Sequence, residues 1–145
     1  MTLNDWLAND WLVVHPPSRL GIRELLAVAD RDLADADVRA LSIEGRFQMA
    51  YGAALTAALA ALTASGFRPA RESHHHRVIQ SLSLTIGADA ATVDTFDAFR
   101  KKRNASGYER INVVTEHECM EMIALALNLR RDVEAWLRKN HPALL

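Results

Sequence analysis

The residues of this chain best suited to bind an anion lie in the segment 99–109. Four consecutive cations, Arg100 to Arg103, are followed by Asn104, a Ser–Gly break and Tyr108. Guanidinium groups match the geometry of phosphate oxygens, and an amide or a phenol can add further hydrogen bonds. The segment therefore predicts a local site for phosphate or a similar anion, with the candidate residues Arg100, Lys101, Arg103, Asn104 and Tyr108.

The element that must position this segment is a helix predicted to begin at Asp89. Arg100, Arg103 and Asn104 are three and four residues apart, so they share one face at its C-terminal end. Gly107 allows the chain to turn and bring Tyr108 back towards Arg103. The structural alternative is a solvated helix end, because cations near a C-terminus complement the helix dipole.

Three adjacent histidines, His74 to His76, open the preceding predicted helix, for which Ser73 is the expected N-cap. Adjacent helical residues point about 100° apart, so the three side chains cannot all ligate one ion. We therefore predict no metal site and no cofactor here, but a helix start whose histidines bond to neighbours. One of them can still face an anion site across the molecule. The apolar face of this helix is expected to contain Val78, Ile79, Leu82 and Ile86, with Gly87 ending it.

The rest of the chain has the apolar periodicity of helices and no sustained strand alternation. The segment Thr2–Val14 is predicted as a helix ended by Pro16 and Pro17, with its tryptophans covering the core. A second helix starts after Ser18 and ends near Asp37. A long alanine-rich helix runs from about Ser42 to Ser65, with Gly66 as its left-handed cap, and Arg68–Arg71 is expected to be a loop.

The last helix begins with a capping box at Thr115 and Glu118. Cys119 lies in its apolar stripe, so we predict a packed thiol rather than a nucleophile. Short connections make successive helices antiparallel. The sequence thus predicts an all-α, antiparallel up-and-down bundle of five or six helices, forming a single helical domain over residues 1–145.

Composition limits the possible partners and surroundings. The net charge of the 145 residues is −1, so the chain has no overall basic field to attract nucleic acid, and any anion site must be local. With one cysteine the chain can form neither an internal disulfide nor a cysteine-rich zinc site. The N-terminus lacks the basic start of a signal peptide, and the most apolar run, Ala57–Leu62, is too short to span a bilayer. We therefore expect a cytoplasmic protein without a membrane partner.

The order Arg103-Asn104-Ala105-Ser106-Gly107-Tyr108 resembles the signature of the HEPN superfamily, in which an arginine and a polar residue precede a histidine after a short gap. The alanine-rich helix followed by His74-His75-His76 is similar to bacterial HEPN-like proteins whose motif ends in tyrosine. The resemblance covers roughly residues 43–137. It implies a HEPN-like helical bundle that forms a homodimer with the two motif regions facing each other.

In catalytic members of that superfamily the arginine and histidine cleave RNA without a metal. Arg103 matches the arginine, Asn104 the polar residue, and Tyr108 takes the place of the histidine. A tyrosine with a pKa of about 10 is a poor base at neutral pH, so cleavage is not expected to follow from the resemblance. The expectation is a cleft that binds RNA or a nucleotide, in a toxin–antitoxin, defence or stress role. The alternative is a non-catalytic module that binds a protein encoded in the same operon.

Overall fold

The computed structural model describes residues 1–71, 74–106 and 114–145, and the side chains of all of these except residues 105 and 106. Over these ranges the chain is mostly helical, with six α-helices, one small sheet and a short 3-10 turn at Pro142–Leu144. The elements are α1 (Leu3–Ala8), β1 (Leu12–Val14), α2 (Arg19–Ala36), α3 (Ile43–Ala64), β2 (Phe67–Pro69), α4 (His74–Ser81), α5 (Ala90–Ser106) and α6 (Glu116–Asn140). The predicted all-α bundle is confirmed. Ser73, Gly107 and Tyr108 lie outside the described residues.

Side-chain caps fix where four of these helices begin, and at α1 the cap is Thr2, in a capping box with Asp5. Ser18 and Ser42 each accept a hydrogen bond from the amide three residues on, which satisfies an N–H group that has no partner within the helix. Thr115 does the same for α6 and forms the predicted capping box with Glu118. At the other end of α3, Gly66 has a φ of 98°, the left-handed conformation that glycine adopts most readily. These predicted boundaries are therefore confirmed.

The alanine-rich α3 is the centre of the bundle and packs against α2, α4, α5 and α6. Its alanines line several faces and are almost all buried, because small side chains let neighbouring helices approach from more than one side. By length and composition alone α3 could cross a membrane, but 67% of its most apolar window is buried within the molecule. That degree of burial is typical of a core helix in a water-soluble bundle.

Long-range ion pairs indicate how the outer helices run. Lys102, near the end of α5, pairs with Glu118 at the start of α6. Asp89 and Asp132 border one groove at the opposite ends of these two helices, so α5 and α6 are antiparallel. Arg130 of α6 forms a bidentate ion pair with Asp30 of α2, with nitrogen–oxygen distances of 2.8 and 3.0 Å. These contacts hold the outer helices against the core.

The N-terminal segment differs from its prediction. The helix expected over Thr2–Val14 ends at Ala8, the chain turns at Asp10 with a φ of 60°, and Leu12–Val14 forms a strand. This strand pairs antiparallel with Phe67–Pro69, so the predicted loop at Arg68–Arg71 was also wrong over its first two residues. The β-branched valines Val13 and Val14 favour extended backbone, and the distant partner strand completes the hydrogen bonding.

The helix that carries the three histidines is also shorter than predicted. It ends at Ser81, so Leu82 and Ile86 belong to the turns that follow rather than to one helix face. The hydroxyls of Ser81, Ser83 and Thr85 each donate to a backbone carbonyl three or four residues earlier. Such bonds compete with continued helix formation, which explains the early end of α4.

Candidate anion-binding cleft

The start of α4 and the end of α5 meet in an open cleft. Its volume is about 560 Å³, and it is lined by His74, His75, His76, Arg100, Arg103 and Asn104. The spacing of three and four residues places the α5 side chains on one helical face, as the sequence predicts. The histidines come from an element about 25 residues away in the chain, so only the packing of α4 against α5 brings the two groups together.

Tyr51, in the middle of α3, forms the floor behind His75. Its hydroxyl lies 3.0 Å from Nδ1 of His75, and the tyrosine ring packs edge-on against Phe96 at 5.7 Å between centroids. The ring of His74 lies 5.5 Å from that of His75. A buried phenol thus fixes the orientation of one imidazole, and that imidazole contacts a second one at the cleft wall.

Arg103 is oriented by two residues of α3. Its Nε donates a hydrogen bond of 3.0 Å to the side-chain oxygen of Gln48, and its guanidinium carbon lies 5.2 Å from the centre of the Tyr51 ring. The second contact is within the range of a cation–π interaction. Both contacts reduce the rotamer freedom of a long side chain before any ligand arrives, which lowers the entropy lost on binding.

Asp97 lies one turn before the cations of α5 and connects them to α4. One carboxylate oxygen accepts from Nε of Arg100 at 2.8 Å and lies 3.3 Å from Nδ1 of His76, and the other oxygen is 3.6 Å from Nζ of Lys101. A guanidinium has five N–H donors, and Asp97 engages Arg100 through one of them. Lys101 is itself highly exposed and lies outside the residues that line the cleft.

The surroundings of His75 and Tyr51 at the cleft change the pKa values of both side chains. Burial lowers the pKa of His75, and the neighbouring charges of Arg103, His74 and Arg100 lower it further. Burial also raises the pKa of Tyr51 to about 12, although the two arginines oppose the shift. His75 is therefore a neutral imidazole and Tyr51 a neutral phenol at pH 7. The neutral imidazole accepts the phenol hydrogen at Nδ1 when its own proton is on Nε2.

Asp97 keeps its negative charge in the cleft. Burial raises its pKa, but the hydrogen bonds from Arg100 and His76 and their charges lower it more, so the net shift is downward. Among the described side chains, no group of three or more histidine, cysteine or acidic residues is arranged to hold a metal ion. The described part of the cleft is therefore a set of nitrogen donors around one carboxylate, which suits an anionic ligand.

An aromatic contact holds the start of α4 in place. Arg77 lies over the ring of Trp11 with 3.7 Å between its guanidinium carbon and the ring centre, and 5.7 Å from the ring of Trp6. The two tryptophans pack edge to face at 5.9 Å. Trp6 is buried and Trp11 packs against the same core, so their predicted role in covering the core is confirmed. Through Arg77 they also anchor the helix that presents the histidines.

The structure thus places Arg100, Arg103 and Asn104 in one cleft, while Tyr108 lies outside the described residues. Sequence reasoning missed three residues that shape it: Gln48, Tyr51 and Asp97. Tyr51 lies in the apolar stripe of α3 and is buried, and its hydroxyl lies 3.0 Å from Nδ1 of His75, which lines the cleft. Two sequence signals could have identified the other residues: Gln48 is a polar residue beside that stripe, and Asp97 precedes Arg100 by three residues.

Cys119 is buried, and burial raises its pKa, as predicted for a packed thiol.

Comparison of the chain with protein-family models, with curated proteins and with solved structures finds no match.

Proposed function

We propose that this protein is HEPN-like and binds RNA or a nucleotide through a phosphate group at the cleft between α4 and α5. The observation that carries the proposal is the convergence of Arg100, Arg103 and Asn104 with three imidazoles on one open surface. Arginine forks and amide groups are the donors that phosphate oxygens prefer. The partly ordered guanidinium of Arg103 adds pre-organisation to this set.

Local charge supports the same ligand class. Among the described residues, two guanidinium groups line the cleft and Lys101 lies nearby, and the carboxylate of Asp97 pairs with Arg100 and Lys101. This excess of positive charge lies on a chain whose net charge is −1. An anion is therefore attracted to this place rather than to the surface as a whole.

The proposal is for binding rather than turnover, because Tyr108 occupies the position at which the resembling signature has a histidine. A phenol is a weak acid and a weaker base at neutral pH, but it can donate a hydrogen bond to a phosphate oxygen. We further propose a homodimer in which the two clefts face each other, in the cytoplasm, as part of a toxin–antitoxin, defence or stress system. Light scattering of the purified protein tests the dimer: a monomer at all concentrations contradicts it.

Binding of a fluorescent single-stranded RNA and of a labelled nucleotide tests the proposed site. We expect Arg103→Ala to abolish binding, and Arg131→Ala to leave it unchanged, since Arg131 is an exposed arginine of α6. Asn104→Ala is a second cleft variant that removes neither contact to α3. Circular dichroism of each variant confirms that the bundle is folded.

The dependence of the RNA-binding constant on salt concentration gives a more quantitative test. If Arg100 and Arg103 each neutralise one phosphate charge of a single-stranded RNA, the logarithm of the binding constant should fall with the logarithm of salt concentration with a slope of about −1.4. No binding by the parent protein, or equal binding by the Arg103 and Arg131 variants, contradicts the proposal.

A metal-free cleavage assay on the parent and on Tyr108→His examines turnover separately. Cleavage by the variant but not by the parent is the expected result, since the substitution restores the histidine of the signature that this segment resembles. Cleavage by neither protein, while RNA still binds, would contradict the assumed match of Tyr108 to the histidine position.

A further inference from the structure

A second cavity lies directly beside the cleft. It has a volume of about 520 Å³, within the range of roughly 300–1,000 Å³ that is common for small-molecule sites. It is formed between α2, the second half of α3 and β2, and His74 at the start of α4. His74 lines both cavities, so one imidazole separates them.

The floor and the rim of this cavity differ in chemistry. Leu25 and Val28 of α2 and Leu59 of α3 supply half-buried apolar surface at the floor, together with the buried Pro69 of β2. The rim is polar and mostly exposed: it contains His15, Glu24, Arg68, Arg71 and His74. A ligand part that enters here must be flat or apolar in its body and able to hydrogen-bond at its edge.

We propose that this cavity holds the base of a mononucleotide whose phosphate occupies the neighbouring cleft, with His74 between the two parts. The proposal rests on the proposed function, since it uses the cleft as the phosphate site. It adds a substrate class: a nucleotide is preferred over a bare phosphate or a sugar phosphate. A base has an apolar face for the leucine and valine side chains, and edge groups that can donate to Glu24 or accept from the arginines of the rim.

Charge favours a nucleotide over other amphiphilic anions. Arg68 and Arg71 belong to the rim of the second cavity, and His74 lines both this cavity and the cleft that contains Arg100 and Arg103. Glu24 lies at the rim of the second cavity, and a carboxylate there disfavours an anionic group but can accept the exocyclic amine of a base. An alkyl chain offers no hydrogen-bonding group to this carboxylate or to the imidazole of His15, which also lines the cavity.

Calorimetric titration with adenosine 5′-monophosphate and with ribose 5-phosphate tests the inference. Both probes carry the phosphate, and only the first carries a base. We expect adenosine 5′-monophosphate to bind at least about tenfold more tightly, a difference of about 1.4 kcal/mol. Val28→Trp should fill the cavity and remove this advantage while the affinity for ribose 5-phosphate stays the same.

Val38→Trp is the matched control, because Val38 is an exposed valine that follows α2 and does not line the cavity. Leu25→Trp, one turn before Val28, is a second cavity-filling variant that keeps the test valid if the first variant does not fold. Loss of the advantage in the cavity variants and its retention in the control supports the inference.

The titrations, together with the RNA-binding assay, distinguish failure of the proposed base site from failure of the proposed phosphate site. Equal affinity of the parent protein for the two probes overturns the base site and leaves the phosphate cleft in place. Absence of binding by both probes overturns the inference, and the RNA-binding assay described above then decides separately whether the phosphate cleft stands. Octyl phosphate serves as a third probe, and tighter binding of it than of adenosine 5′-monophosphate overturns the base assignment in favour of an alkyl chain.

Discussion

Replacing Tyr51 by phenylalanine removes the one hydroxyl that orients an imidazole in the cleft. The aromatic ring stays, so the edge-on contact with Phe96 and the contact with the Arg103 guanidinium are retained. What is lost is the 3.0 Å hydrogen bond to Nδ1 of His75. The substitution therefore isolates the energy and the orienting effect of a single bond.

The expected loss of stability follows from the burial of the two partners. A hydrogen bond between neutral groups contributes about 0.5–1.5 kcal/mol net, and more is lost only when a partner is left buried without a substitute. His75 is half-buried beside an open cleft, so water can replace the phenol at Nδ1. We therefore expect Tyr51→Phe to lower the free energy of unfolding by about 1 kcal/mol, which corresponds to a decrease in Tm of about 2–4 °C.

A double-mutant cycle with His75→Phe measures the bond itself. Urea denaturation at pH 7.5 of the parent, the two single variants and the double variant gives the coupling energy, which we expect to be about 1 kcal/mol. A coupling energy indistinguishable from zero at pH 7.5 would refute the assigned role of Tyr51 in holding His75.

Four further predictions concern His75, Arg77 and Gly66. Arg103→Gln should raise the pKa of His75, because it removes a nearby positive charge; an NMR titration of the imidazole that shows no rise contradicts this. In the parent, the lowered pKa of His75 means that below about pH 6.5 the unfolded chain binds more protons than the folded one, so this contribution to stability is present above pH 6.5 and is lost as the pH falls below it. Urea denaturation at pH 7.5 and 5.5 measures the loss, which His75→Phe should reduce. Arg77→Met should lower the free energy of unfolding by about 1 kcal/mol through loss of the cation–π contact with Trp11, and an unchanged urea midpoint would argue against that contact. Gly66→Ala should destabilise by about 1 kcal/mol or more, because alanine is strained at a φ of 98°; a Tm equal to that of the parent would show that the strain is relieved.

The sequence by itself determined the helices and most of their ends. Capping signals at Ser18, Ser42 and Thr115 act within one turn, so they can be recognised without knowledge of distant contacts. The positions of Arg100, Arg103 and Asn104 on one face likewise follow from helical spacing alone. The length of the N-terminal helix could not be predicted, because Leu12–Val14 becomes a strand only through pairing with Phe67–Pro69.

Only the tertiary structure decided what surrounds the cations of α5. Tyr51 has the spacing of a core residue, and nothing local indicates that its hydroxyl meets His75, a residue 24 positions later. The second cavity is likewise a product of packing, since its apolar floor comes from α2, α3 and β2 together. The physical reason is that periodicity and caps depend on neighbours within a few residues, whereas a site depends on which surfaces the buried faces of distant helices bring together.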